Sequence, residues 1–176
     1  MVELRLPSIE LFPAFQNFMA EMILSGGDKW DPYFPAKEEC PIQFVERMLR
    51  RQNHPENQLV PETVFWAVAN VLVVGRISLR HELKGNLHKI GGHIGYEVRP
   101  SCRRKGFATE MLRQVLLTSK AKEIGKLLLT CAPDNVASNK TIKTNGGQLT
   151  QKIFVEMVQA DRNHYWISLG NQESIR

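Results

Sequence analysis

The segment RRKGFATEML, residues 103–112, constrains this chain more than any other. Three cations, Arg103, Arg104 and Lys105, run into Gly106, and an apolar-periodic helix begins directly after it. Positive charge at a helix N-terminus adds to the positive end of the macrodipole and is unfavourable by itself. It is tolerated where something strongly negative sits between. Upstream, IGGHIGYEV reads as a strand, stopped by Pro100, which has no N–H for a ladder. Strand, turn, glycine and helix in that order point to a crossover and so to an α/β chain. Glycine at 106 lets backbone approach a ligand with no Cβ in the way. The unpaired N–H groups from Arg104 to Ala108 would then form an outward nest for a diphosphate. The competing reading is a basic turn that binds nothing, because short glycine motifs match by chance.

The rest of the chain supplies the frame. MVELRLP reads as a first strand. From Ser8, as cap, to Leu24, apolar residues recur at helical spacing. SGGDKWDPYFPAKEECP reads as a loop, and 41–52 as a second helix. TVFWAVAN and VLVVGRISLRH are two strands with a tight turn near Asn70. The helix opened at Gly106 should run to Gly125, burying Ala108, Met111, Leu112, Val115 and Leu116. KLLLTCA is a fully apolar strand, as a central one would be. DNVASNKTIKTNGG is a short helix with Asp134 as cap and Gly146-Gly147 as stop. QLTQKIFVEMVQ and NHYWISLG close the chain as a strand pair. The expected architecture is mixed α/β: a mostly antiparallel central sheet with helices on both faces, in a single domain over 1–176.

Charge is unevenly spread. Residues 1–100 carry 11 Lys/Arg against 12 Asp/Glu, whereas 101–176 carry 12 against 6. Such a basic half suits a nucleic-acid binder or an enzyme with a polyanionic cofactor. No groove-reading or aromatic-interleaved element accompanies it, so no nucleic-acid partner is expected. The three cysteines, Cys40, Cys102 and Cys131, are odd in number and far apart, as free thiols in a reducing cytoplasm would be. The N-terminus lacks a signal-peptide pattern, and the longest apolar run is too short to span a bilayer. A cytoplasmic protein with no membrane partner is the expectation. Walker, dinucleotide, nucleophile-elbow and metal-ligand motifs are absent, and no metal is expected.

VRPSCRRKGFA, residues 98–108, matches the V-x-P-x-x-R-x-x-G-x-G/A pattern of the GNAT N-acetyltransferase superfamily. Downstream, NVASNKTIKTNGG supplies Asn135, Ser138, Asn139 and Gly146 where that superfamily has N-x-x-S/A and a glycine. The chain thus resembles a GNAT enzyme over essentially its whole length, and GGHIGYEVRPSCRRKGFATEML with HYWISL is similar to a bacterial branch without a settled substrate. The resemblance implies acetyl-CoA as cofactor, its diphosphate held by Arg103, Arg104, Lys105, Gly106, Phe107, Ala108 and Thr109. It implies that Val98 pairs its backbone with the pantetheine arm and polarises the thioester carbonyl. It also implies that Asn135 and Asn139 reach the cofactor from the opposite wall. The acceptor would be a primary amine of a small molecule or peptide, attacking directly, and a homodimer is compatible.

The base must be sought among the residues themselves. A protonated amine cannot attack, so a proton must first leave it. His93 and Glu97 share a strand face, about 13 Å apart. Glu97 adjoins Val98; His93 has a suitable intrinsic pKa. Each also has a structural reading, His93 as a hydrogen-bonded sheet residue and Glu97 as partner of Arg99 or Arg103. Many relatives carry a tyrosine acid on the later helix, where this chain has Ile142; Tyr165 and His164 are the stand-ins. The acceptor wall should be the loop bearing Asp28, Trp30, Asp31, Tyr33, Phe34, Glu38 and Glu39, which would hold a cation or pack its rings into the core. Arg80 and His81 would instead suit a carboxylate-bearing acceptor. A catalytically silent acyl-CoA-binding domain is the alternative outside catalysis.

Overall fold

TVFWAVAN and its partner strand lack the alternation of a half-exposed sheet, and the structure shows why. β2 (Glu62–Ala69) and β3 (Leu72–Arg80) are buried on both faces along almost their full length. They form a hairpin across Asn70, whose φ of 55° provides the left-handed residue of the turn. The protein is described by a computed structural model over residues 1–27, 32–55 and 59–170. β1 (Val2–Arg5) and β4 (Ile94–Val98) flank the hairpin, giving an antiparallel sheet in the order β1-β2-β3-β4. β5 (Lys126–Cys131), β6 (Gln148–Val155) and β7 (Ala160–Ser168) make a second antiparallel sheet, ordered β5-β7-β6. The expected antiparallel character and helix-covered faces are present, but the sheet is in two parts. They meet at an isolated bridge between Gly92 and Leu129.

Each face carries its own core. α1 (Phe12–Leu24) and α2 (Pro41–Arg50) bring Phe15, Phe18 and Phe44 onto Trp66, with the Phe15 and Trp66 rings stacked at 4.2 Å. α3 (Phe107–Leu116), α4 (Ser119–Ile124) and α5 (Val136–Thr144) lie on the other side. Met111, Leu112 and Val115 pack there with Ile77, Leu79, Ile94 and Leu129. Gly75 permits that close approach: a Cβ there would stand 3.0 Å from the Met111 side chain and 2.6 Å from the Glu97 carbonyl oxygen.

Three local expectations need correction. The helix after Gly106 does not run unbroken to Gly125. Thr118 interrupts it: its hydroxyl donates to the Val115 carbonyl at 2.7 Å and accepts the Ala121 N–H at 3.2 Å, capping a new helix. The cap of α5 is Asn135, which accepts the Ser138 N–H at 3.0 Å, and not Asp134. Ser8 does not cap α1, which starts at Phe12 with Pro13 in its first turn, where a missing N–H costs nothing.

Candidate active site

The seam between the sheets defines the site. His93 donates its backbone N–H to the Leu128 carbonyl at 2.7 Å, and its Nδ1 accepts the Leu128 N–H at 2.9 Å. At this junction the residues just before β4 are tied to β5; from Ile94 on, the two strands belong to separate sheets. A cleft of about 320 Å³ lies at the parting, lined by Gly95 and Tyr96 of β4, Leu129 and Thr130 of β5, and Ser138 and Ile142 of α5. Glycine is required at 92, because a Cβ there would stand 2.4 Å from the Leu128 carbonyl oxygen, and φ is +65°.

The register of β4 sets what its free edge presents. Arg80 N–H bonds the His93 carbonyl and Arg99 N–H the Val74 carbonyl, so Gly95, Glu97 and Arg99 direct their backbone groups to β3, as His93 does its carbonyl alone, its N–H being turned to Leu128. By antiparallel alternation, Ile94, Tyr96 and Val98 direct theirs away from β3, along the open edge. Val98 therefore offers an extended partner an N–H. Its carbonyl accepts Arg103 Nε at 3.1 Å.

At the end of β4 the cationic loop turns back on itself. Arg104 and Gly106 have φ of 63° and 81°, and Gly106 is the residue before the first turn of α3. Glu110 N–H to the Gly106 carbonyl, 3.1 Å, is the first bond of that turn. The amides from Arg104 to Thr109 make no hydrogen bond among the described residues. Among the described residues, no atom beyond the neighbouring backbone lies within 4 Å of where a Gly106 Cβ would be. Arg103, Arg104 and Lys105 are exposed around this concavity, and Lys105 Nζ donates to the Ser101 carbonyl at 3.0 Å. Free N–H groups, positive charge and open space at one helix start suit a phosphate group.

His93 and Glu97 separate in character. His93 is 7% exposed, and burial pushes its pKa down to about 4. With Nδ1 committed to Leu128, the ring is a neutral fastener of the two sheets; the expectation of a base there is replaced by a structural role. Glu97 is paired across the strands with Arg76, and not with Arg99 or Arg103. Arg76 Nε and Nη2 reach Oε1 at 3.0 and 2.7 Å. Both bonds fall on one oxygen, and Oε2 has no hydrogen bond among the described residues. Glu97 thus keeps a free carboxylate oxygen one residue from Val98, on the face of the sheet that carries α1.

The asparagine motif builds the wall behind the cleft. Asn139 Nδ2 donates to the Ala132, Pro133 and Asn135 carbonyls, and its Oδ1 accepts from Asn163 at 2.9 Å and the Tyr165 hydroxyl at 2.5 Å. Every polar group of that side chain is spent inside the protein, so the expected reach of Asn139 to a cofactor is not what it does here. Asn135 likewise gives its side-chain oxygen to the cap of α5. Tyr165 spends its proton on Asn139, and His164 Nε2 lies 2.9 Å from the Lys89 carbonyl.

On the other face, Tyr33 and Phe34 pack into the core instead of forming a cage. The Arg76 guanidinium stacks on the Tyr33 ring at 3.6 Å, and Tyr33 donates its hydroxyl to Glu62 at 2.8 Å. Glu39 is held by Arg47, and Glu38 is exposed. Trp30, Asp28 and Asp31 lie outside the described residues. Arg80 donates to the Gly92 carbonyl at 3.0 Å and lines the cleft with Arg162; His81 contacts Thr63 at 2.8 Å.

A splayed pair of strands with a free edge, ending in an amide nest at a helix start, is the ground plan of an acyl-CoA N-acyltransferase. The family profile described as "Acetyltransferase (GNAT) domain" matches residues 2–148, and the chain belongs to that family. Among solved structures, it is similar to the microcin C7 self-immunity acetyltransferase MccE in complex with acetyl-CoA and AMP, at TM-score 0.70 and 18% identity, covering 96% of this chain and 92% of that one. It is similar to RimL, a ribosomal L7/L12 alpha-N-protein acetyltransferase in complex with coenzyme A, at TM-score 0.68 and 20% identity, covering 96% and 94%. The Salmonella typhimurium acetyltransferase that modifies the N-terminal serine of L7/L12 aligns at TM-score 0.66 and 19% identity, covering 96% and 95%. A search of curated proteins finds no match. Among the described residues, no helix is long and apolar enough to cross a membrane.

Proposed function

We propose that residues 1–176 act as one N-acetyltransferase domain that binds acetyl-CoA along the open edge of β4 and acetylates a primary amine of a small molecule or peptide. The observation that carries this reading is the outward edge of Ile94, Tyr96 and Val98 running straight into the unpaired amides of 104–109. The residues fit the cofactor: an extended arm can add to a free strand edge, and a diphosphate to a nest of N–H groups. When bound, acetyl-CoA supplies an acyl group activated as a thioester.

The chain's own groups then have distinct tasks. The Val98 N–H is a preset donor for an oxygen that gains negative charge, and costs no reorganisation as it does so. Arg103, Arg104 and Lys105 hold the anionic end. Glu97 is not among the residues lining the cleft, so the proton that the attacking amine loses passes to its Oε2 through water. In the transfer a nitrogen–carbon bond forms, the carbon–sulfur bond breaks, and the thiolate collects a proton. With Ile142 at the cleft, the thiolate leaves on its own acidity, since a thiol pKa near ~8.5 makes it a fair leaving group. The cleft lining includes Arg80 and Arg162 and no carboxylate among the described residues. Nearby cations disfavour a second positive charge, so a bound amine is easier to keep neutral.

The neighbours' protein N-terminal acceptors support an amine on a peptide as the first class to assay. The test is thiol release from acetyl-CoA over a panel of peptide N-termini, amino acids and polyamines. Turnover with any amine, abolished in Gly106→Val, supports the reading. CoA binding with no turnover on the whole panel would favour a silent acyl-CoA-binding domain.

A further inference from the structure

The loop that carries the amide nest is anchored from the opposite face of the sheet. Glu21 lies on α1, about 80 positions earlier in sequence. Its Oε1 accepts the Ser101 N–H at 2.5 Å. Its Oε2 accepts the Ser101 hydroxyl at 3.0 Å and pairs with Arg99 Nε. These three bonds grip the first residues after β4, two of them within the turn through Pro100–Cys102. That turn is closed by Cys102 N–H to the Arg99 carbonyl at 2.8 Å and Arg103 N–H to the Pro100 carbonyl at 3.2 Å. The direction in which Arg103 to Gly106 leave the sheet is set there, two residues after the Glu21 contacts.

We infer that Glu21 is a positioning residue for the cofactor: its carboxylate, held between Arg99 and Ser101, fixes the loop so that the amides of Arg104 to Thr109 converge. This rests on the proposed cofactor site. It assigns to the acceptor-side helix α1 a part in cofactor affinity that its position, across the sheet from the nest, does not suggest.

Charge and geometry make opposite demands here, which gives the inference a sign. Glu21 is an anion near a loop that is to bind an anion. Removing its charge makes the surroundings more positive, and electrostatics alone would tighten CoA binding. Removing the anchor loosens the loop, and binding weakens because the amides must be ordered at the moment of binding.

The experiment is calorimetric titration of CoA into the parent, Glu21→Gln and Ser101→Ala, with the thermal midpoint of each protein measured without ligand. Glu21→Gln keeps the size of the side chain but loses its charge-assisted bonds, and Kd should rise about tenfold. Ser101→Ala loses only the hydroxyl bond and should weaken binding less, about two- to threefold. Because the two share a contact, the double variant should weaken binding less than the product of the single effects. In turnover assays the KM for acetyl-CoA should rise with kcat little changed, a split that simple loss of folded protein would not produce. CoA binding in Glu21→Gln that equals or exceeds the parent's affinity overturns the inference. Additive effects in the double variant would overturn it also. Absence of CoA binding by the parent itself would instead sink the proposed function.

Discussion

His93 and Leu128 hold each other twice, backbone N–H to carbonyl at 2.7 Å and backbone N–H to imidazole Nδ1 at 2.9 Å, where the two sheets meet. Both residues are buried, and the opening of the cleft starts from this pair. Substituting His93 by Ala leaves the Leu128 N–H unpaired in the interior, which costs about 1–3 kcal/mol. Asparagine places a carbonyl oxygen near the position of Nδ1. His93→Asn should therefore recover much of that loss, and chemical denaturation of the two variants measures the difference. Equal destabilisation would show that the Nδ1 bond contributes nothing.

Stability should also depend on pH through this residue. Folded His93 titrates at about 4, below its ordinary value of 6.5. Between those limits the unfolded chain binds a proton that the folded chain refuses. Stability is therefore full above pH 6.5 and falls as pH drops toward 4, by on the order of 2–3 kcal/mol. Glu21 and Glu39, whose pKa values are lowered from 4.5 by hydrogen bonds to Ser101 and Arg47 respectively, withdraw their support only at lower pH. Denaturation curves at pH 7.5 and 5 should differ in the parent, and much less in His93→Asn, which does not titrate there.

Glu97→Gln separates chemistry from structure. Glutamine retains an acceptor for Arg76, so the variant should fold and bind CoA like the parent. Loss of the free carboxylate oxygen should lower turnover by about 100-fold at neutral pH. The loss should shrink as pH rises, since more of the acceptor amine is then already neutral. An unchanged pH–rate profile would mean that the proton leaves by another route.

The Gly92→Ala change probes the seam from the other side. Its Cβ would meet the Leu128 carbonyl oxygen at 2.4 Å, a clash with backbone that no side-chain rotation relieves. Added to the φ of +65°, this should cost more than the roughly 1–2 kcal/mol of the left-handed conformation alone. Gly125→Ala is the comparison, with φ of +73° and its nearest neighbour, the Lys122 carbonyl oxygen, at 3.9 Å. If both cost the same in thermal unfolding, the seam contact is soft.

Much of this was legible from sequence because it is local. The strand before Pro100, the glycine at the start of α3 and the apolar stripe of Met111, Leu112 and Val115 all follow from spacing. The break at Thr118 had a local signal too, a Thr-Ser pair at a helix start, but the periodicity continued through it. Long-range pairings were not legible. That Glu97 meets Arg76, and not Arg99 or Arg103, depends on the β3–β4 register. That Nδ1 of His93 is spent on Leu128 depends on how a second sheet closes on the first. The anchor from Glu21 to Ser101 joins opposite faces of a sheet, and no spacing rule reaches across one. Asn139 was marked by its motif, yet its task, fastening α5 to Asn163 and Tyr165, needs β7 in place.

The central claim is that the open edge of β4 and the amides beyond it form the cofactor site. The most direct measurement is calorimetric titration of CoA into the parent and Gly106→Val, with dephospho-CoA as a further ligand. No atom among the described residues beyond the neighbouring backbone opposes a Cβ at 106, so the variant should stay folded, bearing roughly 1–2 kcal/mol of backbone strain at a φ of +81°. The account predicts micromolar binding by the parent, weaker binding of dephospho-CoA, and no detectable binding by Gly106→Val. CoA binding of equal affinity in parent and folded variant would contradict it, because the diphosphate would then lie elsewhere.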